Sequence, residues 1–476
     1  MSIRSEMKSG VLWTAINKYS SLLISLLITT ILSRLISPEE FGVVAIAQVV
    51  ITFLNIFSDF GIGPAIIQNK KLSNRDLSSI FTITIFVGLF LTALLIISSK
   101  YIGAYYDNAQ LEDICKILSI SLLFNALNIV PGNIFYRNKQ FKILAKRNLV
   151  LQILAGIAAI IYALNGGGCY ALVLQSVVSS ALSFFISIYY NPQKIVFDFH
   201  PMRAIASFSL FQFCFTLLNF FSRQIDKLII GKYLTLQDLG YYQKSYALML
   251  QPLDKISDVI TPVIQPILSD YQDQKQFIAD KYIQILRIIS LISFPLGIML
   301  CVCGPEVIRI MFGENWDGAV RCFQILTLSL PLQMLCTTTG SIYQSCNATK
   351  YMFYTGIMTS VFTVSSFLFA AIYFGSIEAI AIAWNFAIIF STLVNFICLF
   401  KFILKTSLSA VIKRLVHPVS LFLLLGVVFY ILYPLLKYEF LINFIIKAFI
   451  GSAIIFIYYY IFGIVRISDI KKLIKK

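Results

Sequence analysis

Charge is what this sequence has least of. Only 13% of its 476 residues are Asp, Glu, Lys or Arg, against about 25% in an average soluble domain. With so little polar surface, a chain of this length cannot wrap one apolar core in water, and the soluble globular classes are excluded. Cysteine occurs nine times, mostly inside apolar runs. Even the close pair Cys301 and Cys303 is flanked by Met, Leu and Val, so the spacing of a zinc site is missing. These thiols read as small apolar residues. No nucleophile–histidine pair and no metal cluster is found; His200 falls in a connection and reads as a solvated loop residue. Gly166-Gly167-Gly168 is followed by no Lys-Ser/Thr and reads as a tight outer turn, not a phosphate loop. With no nucleotide-binding motif, ATP hydrolysis by this chain is excluded. No small-residue cleavage site follows a short apolar core near the start, so no cleaved signal peptide is expected. Connections long enough for a separate domain are missing too.

What the sequence has is apolar length. Hydrophobic residues make up 58% of it, with 41 Phe and 25 Tyr. A helix needs about 20 apolar residues to cross the hydrocarbon of a bilayer. Runs of that kind predict an all-α polytopic membrane protein with about 14 transmembrane helices. In order they are Val11–Leu35, Phe41–Gln68, Ser78–Ser99, Leu111–Pro131, Arg147–Leu164, Gly168–Tyr190, Ser207–Tyr233 and Leu239–Leu268. The remainder are Ile283–Cys303, Ala319–Gln344, Met352–Phe374, Ile377–Phe402, Ile412–Leu435 and Phe440–Phe462. The second, seventh and eighth carry charges.

The net charge is +16. In a soluble chain that would point to nucleic acid; here the basic residues sit in alternate connections, as the positive-inside rule predicts. Lys70, Lys71, Arg75, Arg137, Lys139, Lys194, Lys350, Lys413 and the tail Lys471–Lys476 fall on one side. Glu39, Glu40, Asp107, Glu306, Asp317 and Glu439 fall on the other. An inner-membrane protein with both termini cytoplasmic is expected, and no nucleic-acid partner.

The chain also contains a repeat. Ile31-Leu32-Ser33-Arg34-Leu35-Ile36-Ser37-Pro38-Glu39-Glu40-Phe41-Gly42 aligns with Ile229-Ile230-Gly231-Lys232-Tyr233-Leu234-Thr235-Leu236-Gln237-Asp238-Leu239-Gly240, and Pro64 then falls on Pro262 without a gap. Gly132-Asn133-Ile134-Phe135 echoes Gly340-Ser341-Ile342-Tyr343 at a slightly different offset. Spans one to six thus match seven to twelve. Six is even, so the halves insert in parallel, related by an axis along the membrane normal. The expected organisation is a first lobe over 1–205 (helices 1–6 and a linker), a second over 206–405 (helices 7–12), and two further helices with a basic tail over 406–476.

Three stretches carry a resemblance: Ser9-Gly10-Val11-Leu12-Trp13 with Pro38-Glu39-Glu40-Phe41-Gly42; Arg223-Gln224-Ile225-Asp226-Lys227-Leu228-Ile229-Ile230-Gly231 with Leu239-Gly240-Tyr241-Tyr242; and Phe135-Tyr136-Arg137-Asn138-Lys139-Gln140-Phe141-Lys142. There, and over nearly its whole length, the chain resembles the polysaccharide transporter family of the multidrug/oligosaccharidyl-lipid/polysaccharide exporter superfamily. Asn138 departs from the acid more usual at that position. The resemblance implies two six-helix lobes forming a V-shaped central cavity. It also implies export of undecaprenyl-pyrophosphate-linked repeat units for lipopolysaccharide, capsule or exopolysaccharide.

Ionisable groups at bilayer depth are costly and point to function. They concentrate in the repeat-paired spans: Asn17 and Lys18 in the first, Asn55 and Asp59 in the second, Asn219, Arg223, Asp226 and Lys227 in the seventh, Lys244, Lys255, Asp254 and Asp258 in the eighth. These spans line the cleft in the fold that the resemblance implies. An anionic pyrophosphate-sugar needs cations and donors along a wet path. Lys18, Asn17, Arg223, Lys227, Lys244 and Lys255 are the candidate substrate-binding groups, with Tyr19, Tyr241, Tyr242 and Tyr246 as rings for sugars to stack on. Asp59, Asp226, Asp254 and Asp258 are candidates for ion coupling or for structural pairs. Arg223 with Asp226, and Lys255 between Asp254 and Asp258, have the spacing of helical ion pairs. Both readings stand at this point. No cofactor is expected. The partners expected are a lipid-linked oligosaccharide, membrane lipid, and the pathway's polymerase and glycosyltransferases. A multidrug extruder or a peptidoglycan-precursor flippase of the same superfamily is the nearer alternative. A polysaccharide polymerase or ligase is the enzymatic one, though such enzymes carry a long outer loop and every outer connection here is short.

Overall fold

A computed structural model describes residues 3–198, 200–435 and 439–463. Among them the elements are helices joined by short turns, with no strand. In chain order they are α1 (Ile3–Leu35), α2 (Pro38–Asp59), α3 (Ile62–Gln68), α4 (Asn74–Tyr105), α5 (Ala109–Arg137), α6 (Phe141–Leu164), α7 (Tyr170–Tyr190), α8 (His200–Tyr233) and α9 (Leu236–Ser269). Then follow α10 (Lys275–Val302), α11 (Gly304–Phe312), α12 (Ala319–Leu328), α13 (Leu330–Cys336), α14 (Thr339–Ser345), α15 (Thr349–Tyr373), α16 (Ile377–Ile397), α17 (Leu408–Leu432) and α18 (Phe440–Ile461).

Among the described residues, eleven helices are long and apolar enough to cross a membrane. The count becomes twelve if Ala319–Leu328 and Leu330–Ser345, bent by 46°, form one broken span. The sequence predicts about fourteen; many side chains of the 34-residue helices α8 and α9 lie outside those described, and neither helix is in this count. Large apolar side chains face outward along the helices, among them Phe90, Ile97, Tyr430 and Phe449. Such a surface would aggregate in water and suits hydrocarbon. The protein is an all-α, multi-pass membrane protein.

The chain divides into two compact units, Met1–Gly240 and Tyr241–Lys476. In the first, α4 and α5 pack along their length, α5 packs on α7, and α6 on both α1 and α7. One of its cores gathers Ile62, Ile66, Leu77, Ile80, Phe81, Val130 and Ile134 from α3, α4 and α5. Arg137, at the end of α5, donates to the carbonyls of Ile66, Lys70 and Leu72 (3.4, 3.0 and 2.8 Å), fastening the α3–α4 turn. An aromatic seam of Phe53, Phe57 and Phe60 on Phe213 and Phe220 joins α2 to α8. In the second unit, α10 packs against α12, α13 and α17, and α16 against α12, α13 and α15. Ile298 of α10 shares a core with Leu421, Leu425 and Phe429 of α17 and Tyr458 of α18.

The repeat is visible in local chemistry. Ser37 and Glu40 form a reciprocal cap on α2: Glu40 N–H donates to Ser37 Oγ (3.3 Å), and Ser37 N–H donates to Glu40 Oε2 (3.0 Å). Thr235 and Asp238 repeat it on α9, at 3.1 and 3.3 Å. The two aligned glycines then meet. A Cβ at Gly42 would lie 1.8 Å from the Leu236 carbonyl oxygen, and one at Gly240 would lie 1.9 Å from that of Pro38. Only glycine permits such backbone contact. The copies diverge further on. α2 stops at Asp59, where Phe60 (φ 41°) and Gly61 (φ 74°) turn left-handed before α3, whereas α9 runs on to Ser269. The Gly166–Gly168 turn is tight, with φ of 83° and 50° at its ends. It serves as an anchor: Cys169 N–H donates to the second oxygen of Glu40, Oε1, at 2.9 Å.

Candidate functional site

In the first unit, α1 carries Asn17 and Lys18. Asn17 Oδ1 accepts from Ser21 Oγ (3.4 Å), one turn on, and the Ser21 carbonyl accepts from Gln152 of α6 (2.8 Å). Asn17 and Lys18 are half-buried, and Tyr19 is 53% exposed, open for stacking. Asp59 bonds to the backbone beside it. Its Oδ1 accepts from the Gly63 N–H (2.9 Å), capping α3 across the break.

α8 separates the charges that its sequence spaces as a pair. Asp226 is buried, 4% exposed, and its Oδ1 accepts from the Lys227 N–H (2.8 Å). Lys227 Nζ donates to Gln224 Oε1 (2.7 Å). Arg223 is exposed. Among the described residues it forms no ion pair, with Asp226 or with any other carboxylate. The side chain of Asn219 lies outside the described residues.

In the second unit, Lys244 is half-buried with its Nζ 5.7 Å from the centre of the Phe312 ring. Lys255 is half-buried, Asp254 is exposed, and neither forms an ion pair among the described residues. Asp258 has its side chain outside the described residues, as has His200. The α9 tyrosines expected to face sugars are occupied otherwise. Tyr242 is fully buried and stacked on Tyr246 (5.8 Å), which in turn meets Trp384 (5.4 Å). Tyr241 packs on Trp316 and donates its hydroxyl to the Asn315 carbonyl (3.4 Å). Tyr242 is core, Tyr241 and Tyr246 are half-buried, and of the four proposed for stacking only Tyr19 is exposed.

The strongest buried charge escapes a reading of the sequence. Lys447 lies within α18, an otherwise apolar helix, and its Nζ meets Glu306 Oε1 at 2.6 Å and the Val302 carbonyl at 3.1 Å. The two side chains are 7% and 6% exposed. Glu306 reads from sequence as part of an outer connection; within it, the residue sits in the first turn of α11, behind Pro305. Its Oε2 is buried without a partner among the described residues. A lone lysine in a 22-residue apolar helix is itself the signal that would have found the pair.

A multi-pass helical bundle with cations on its least apolar helices defines a class of membrane protein rather than a single activity. The profile of the polysaccharide biosynthesis protein family matches residues 31–321. The chain belongs to that family. It is 28% identical over 437 residues to the teichuronic acid biosynthesis protein TuaB of Bacillus subtilis, covering 90% of this chain and 89% of the relative. It is 24% identical to the lipopolysaccharide biosynthesis protein WzxC of Escherichia coli, covering 92% and 89%. Among solved structures, the fold is similar to the lipid II flippase MurJ in an inward closed conformation (TM-score 0.75, 16% identity, 95% of this chain and 98% of that one). It is also similar to an inward-facing multidrug resistance MATE transporter (TM-score 0.64, 14% identity, 85% and 99%).

Proposed function

We propose that the chain is a secondary transporter that flips undecaprenyl-pyrophosphate-linked oligosaccharide units across the bacterial inner membrane for surface polysaccharide synthesis. One observation carries this reading: similarity along nine-tenths of the chain to relatives named for making teichuronic acid and lipopolysaccharide. The charge pattern supports it. Arg223, exposed and outside any ion pair among the described residues, offers a planar fork to phosphate; Lys18, Lys227, Lys244 and Lys255 add point charges. In this reading both termini are cytoplasmic, residues 1–205 and 206–405 are the two lobes, and 406–476 is an addition. A twelve-span drug extruder lacks an equivalent of that addition. Glycosyltransferases of the pathway supply the substrate and a polymerase consumes it. With no nucleotide motif, an ion gradient acting through Asp59, Asp226, Asp254 or Asp258 would drive the cycle. The membrane potential would help, at about 2.3 kcal/mol per charge per 100 mV.

The test is where the substrate stops. Deleting the gene should abolish the polymer and leave single lipid-linked units on the cytoplasmic face, closed to an impermeant sugar-modifying enzyme in the periplasm. Arg223→Ala should reproduce this while the protein still inserts. Units already accessible from outside would contradict a flippase and indicate a polymerase. A block in cell-wall precursor export instead would indicate the peptidoglycan-precursor reading.

A further inference from the structure

One cavity in the first unit, of about 570 Å³, stands apart from the charged helices discussed above. It lies where α4 starts and α5 and α7 end, on the face where the basic connections fall, and its lining includes Arg75, Arg137, Lys194, Asn138, Asn191 and Tyr190. The positive-inside rule accounts for basic residues on this face. It does not account for three of them converging on one cavity with amide groups and a tyrosine. Among the described residues none of the three is in an ion pair with a carboxylate. Arg137 is held rigid by the three carbonyls of the α3–α4 turn, so its charge is fixed before any ligand arrives.

One wall of the cavity is the extended segment that links α7 to α8. It is bound to the hydroxyl-rich start of α4. Lys194 N–H donates to Ser78 Oγ (3.3 Å), Ser78 Oγ donates to Gln193 Oε1 (3.2 Å), Val196 N–H donates to Thr82 Oγ1 (2.9 Å), and Ser79 Oγ donates to the Asp198 carbonyl. The same segment turns apolar side chains outward. Ile195 and Phe197 are 65% and 71% exposed, and Phe197 meets Phe86, itself exposed on the surface of α4. A polar, cationic cavity bordered by exposed apolar side chains has the character of a boundary between headgroups and acyl chains.

From this we infer that the cavity binds the phosphate-bearing headgroup of an anionic glycerophospholipid of the cytoplasmic leaflet, with the acyl chains lying beside Ile195, Phe197 and Phe86. Arg75 and Lys194 supply charge, fixed Arg137 supplies the floor, and Asn138, Asn191 and Tyr190 supply bonds to glycerol-type hydroxyls. The site is independent of what the protein transports. Because the wall is also the linker to α8, an occupied site would hold that linker on α4.

The experiment uses the full chain purified in detergent, with bound phosphatidylglycerol and phosphatidylcholine counted by native mass spectrometry. Arg75→Gln/Lys194→Gln should weaken phosphatidylglycerol binding by about thirtyfold, from the contribution of a basic residue at an anionic surface. Lys350→Gln/Lys413→Gln, which removes as much charge from the same face elsewhere, should change it less than about twofold. Arg75→Lys/Lys194→Arg should retain binding and show that the pocket is still folded; Arg137 is left alone because it holds the turn. Equal losses in the two Gln doubles, or equal binding of the two lipids, would overturn the assignment. Displacement of phosphatidylglycerol by inorganic phosphate at a few millimolar would do so too, by making the ligand a free anion.

Discussion

Lys447 and Arg223 are both cations on long helices of this membrane protein, and the fold treats them in opposite ways. Lys447 is sealed at the α18–α11 corner, with the Glu306 carboxylate at 2.6 Å and a backbone carbonyl at 3.1 Å. Arg223 stands exposed on α8, while Asp226, three residues on, is buried with its Oδ1 on its own backbone. A charge that is enclosed and matched is spent on structure, since removing its partner would strand a buried ion. An exposed one can meet a ligand. The comparison therefore sorts the cations of the long helices by their surroundings and not by their place in the sequence.

The largest effect is expected where the enclosed charge is broken. Lys447→Met leaves Glu306 buried without a cation and should cost about 3–5 kcal/mol. Thermal unfolding in detergent should show a large fall in Tm, and Lys447→Met/Glu306→Leu should restore most of it, because both charges leave together. Arg223→Ala should change stability by no more than about 0.5 kcal/mol, as for an exposed position, and so leave the Tm nearly in place. A stable Lys447→Met protein, or an Arg223→Ala protein that unfolds as readily, would reverse the assignment of roles.

A second effect sharpens the comparison between the copies of the repeat. Gly42→Ala and Gly240→Ala each drive a methyl into a backbone carbonyl, at 1.8 and 1.9 Å. Each should cost about 1–3 kcal/mol. Because both act on one contact, the double variant should cost clearly less than the sum. Gly356→Ala, a helical position with nothing within 4 Å of the added Cβ, is the control and should be neutral or slightly stabilising. Additive losses at Gly42 and Gly240 would mean that the two glycines serve separate contacts.

Much of the fold was legible in the sequence. Apolar length locates the long helices, and the alignment of Ser37-Pro38-Glu39-Glu40 with Thr235-Leu236-Gln237-Asp238 foretells two matching caps. What sequence could not supply is what each side chain faces. Tyr241, Tyr242 and Tyr246 are polar enough to suggest a sugar-facing stripe, yet burial among aromatic neighbours is decided by tertiary packing. Gly304-Pro305-Glu306 reads only as part of an outer connection, although proline at a helix start favours α11 there. The break after Asp59 hides in an apolar run because a phenylalanine, not only a glycine, takes the left-handed turn there. Spacing of three residues allows Arg223 to pair with Asp226 but does not require it.

The smallest effect concerns a charge pair outside the spanning helices, where water weakens what burial strengthens at Lys447. Arg309 grips Asp317 through two bonds, Nε to Oδ1 at 2.8 Å and Nη2 to Oδ2 at 2.6 Å, across the short turn after α11. The bonds from Arg309 hold the Asp317 carboxyl below its ordinary value of 3.8, with slight burial opposing them. The two side chains are 42% and 46% exposed, so solvent screens most of the gain. The net contribution is expected at a few tenths of a kcal/mol, about 1 at most. A depressed carboxylate stabilises the fold above its unfolded pKa and stops doing so as pH falls through the lower folded value. The Tm gap between the native protein and Asp317→Asn should therefore be constant from pH 7 to about 5 and should close below about 4. Added salt at neutral pH should shrink it as well. A gap that persists in acid would mean that Asp317 acts through its hydrogen-bonded shape and not through its charge.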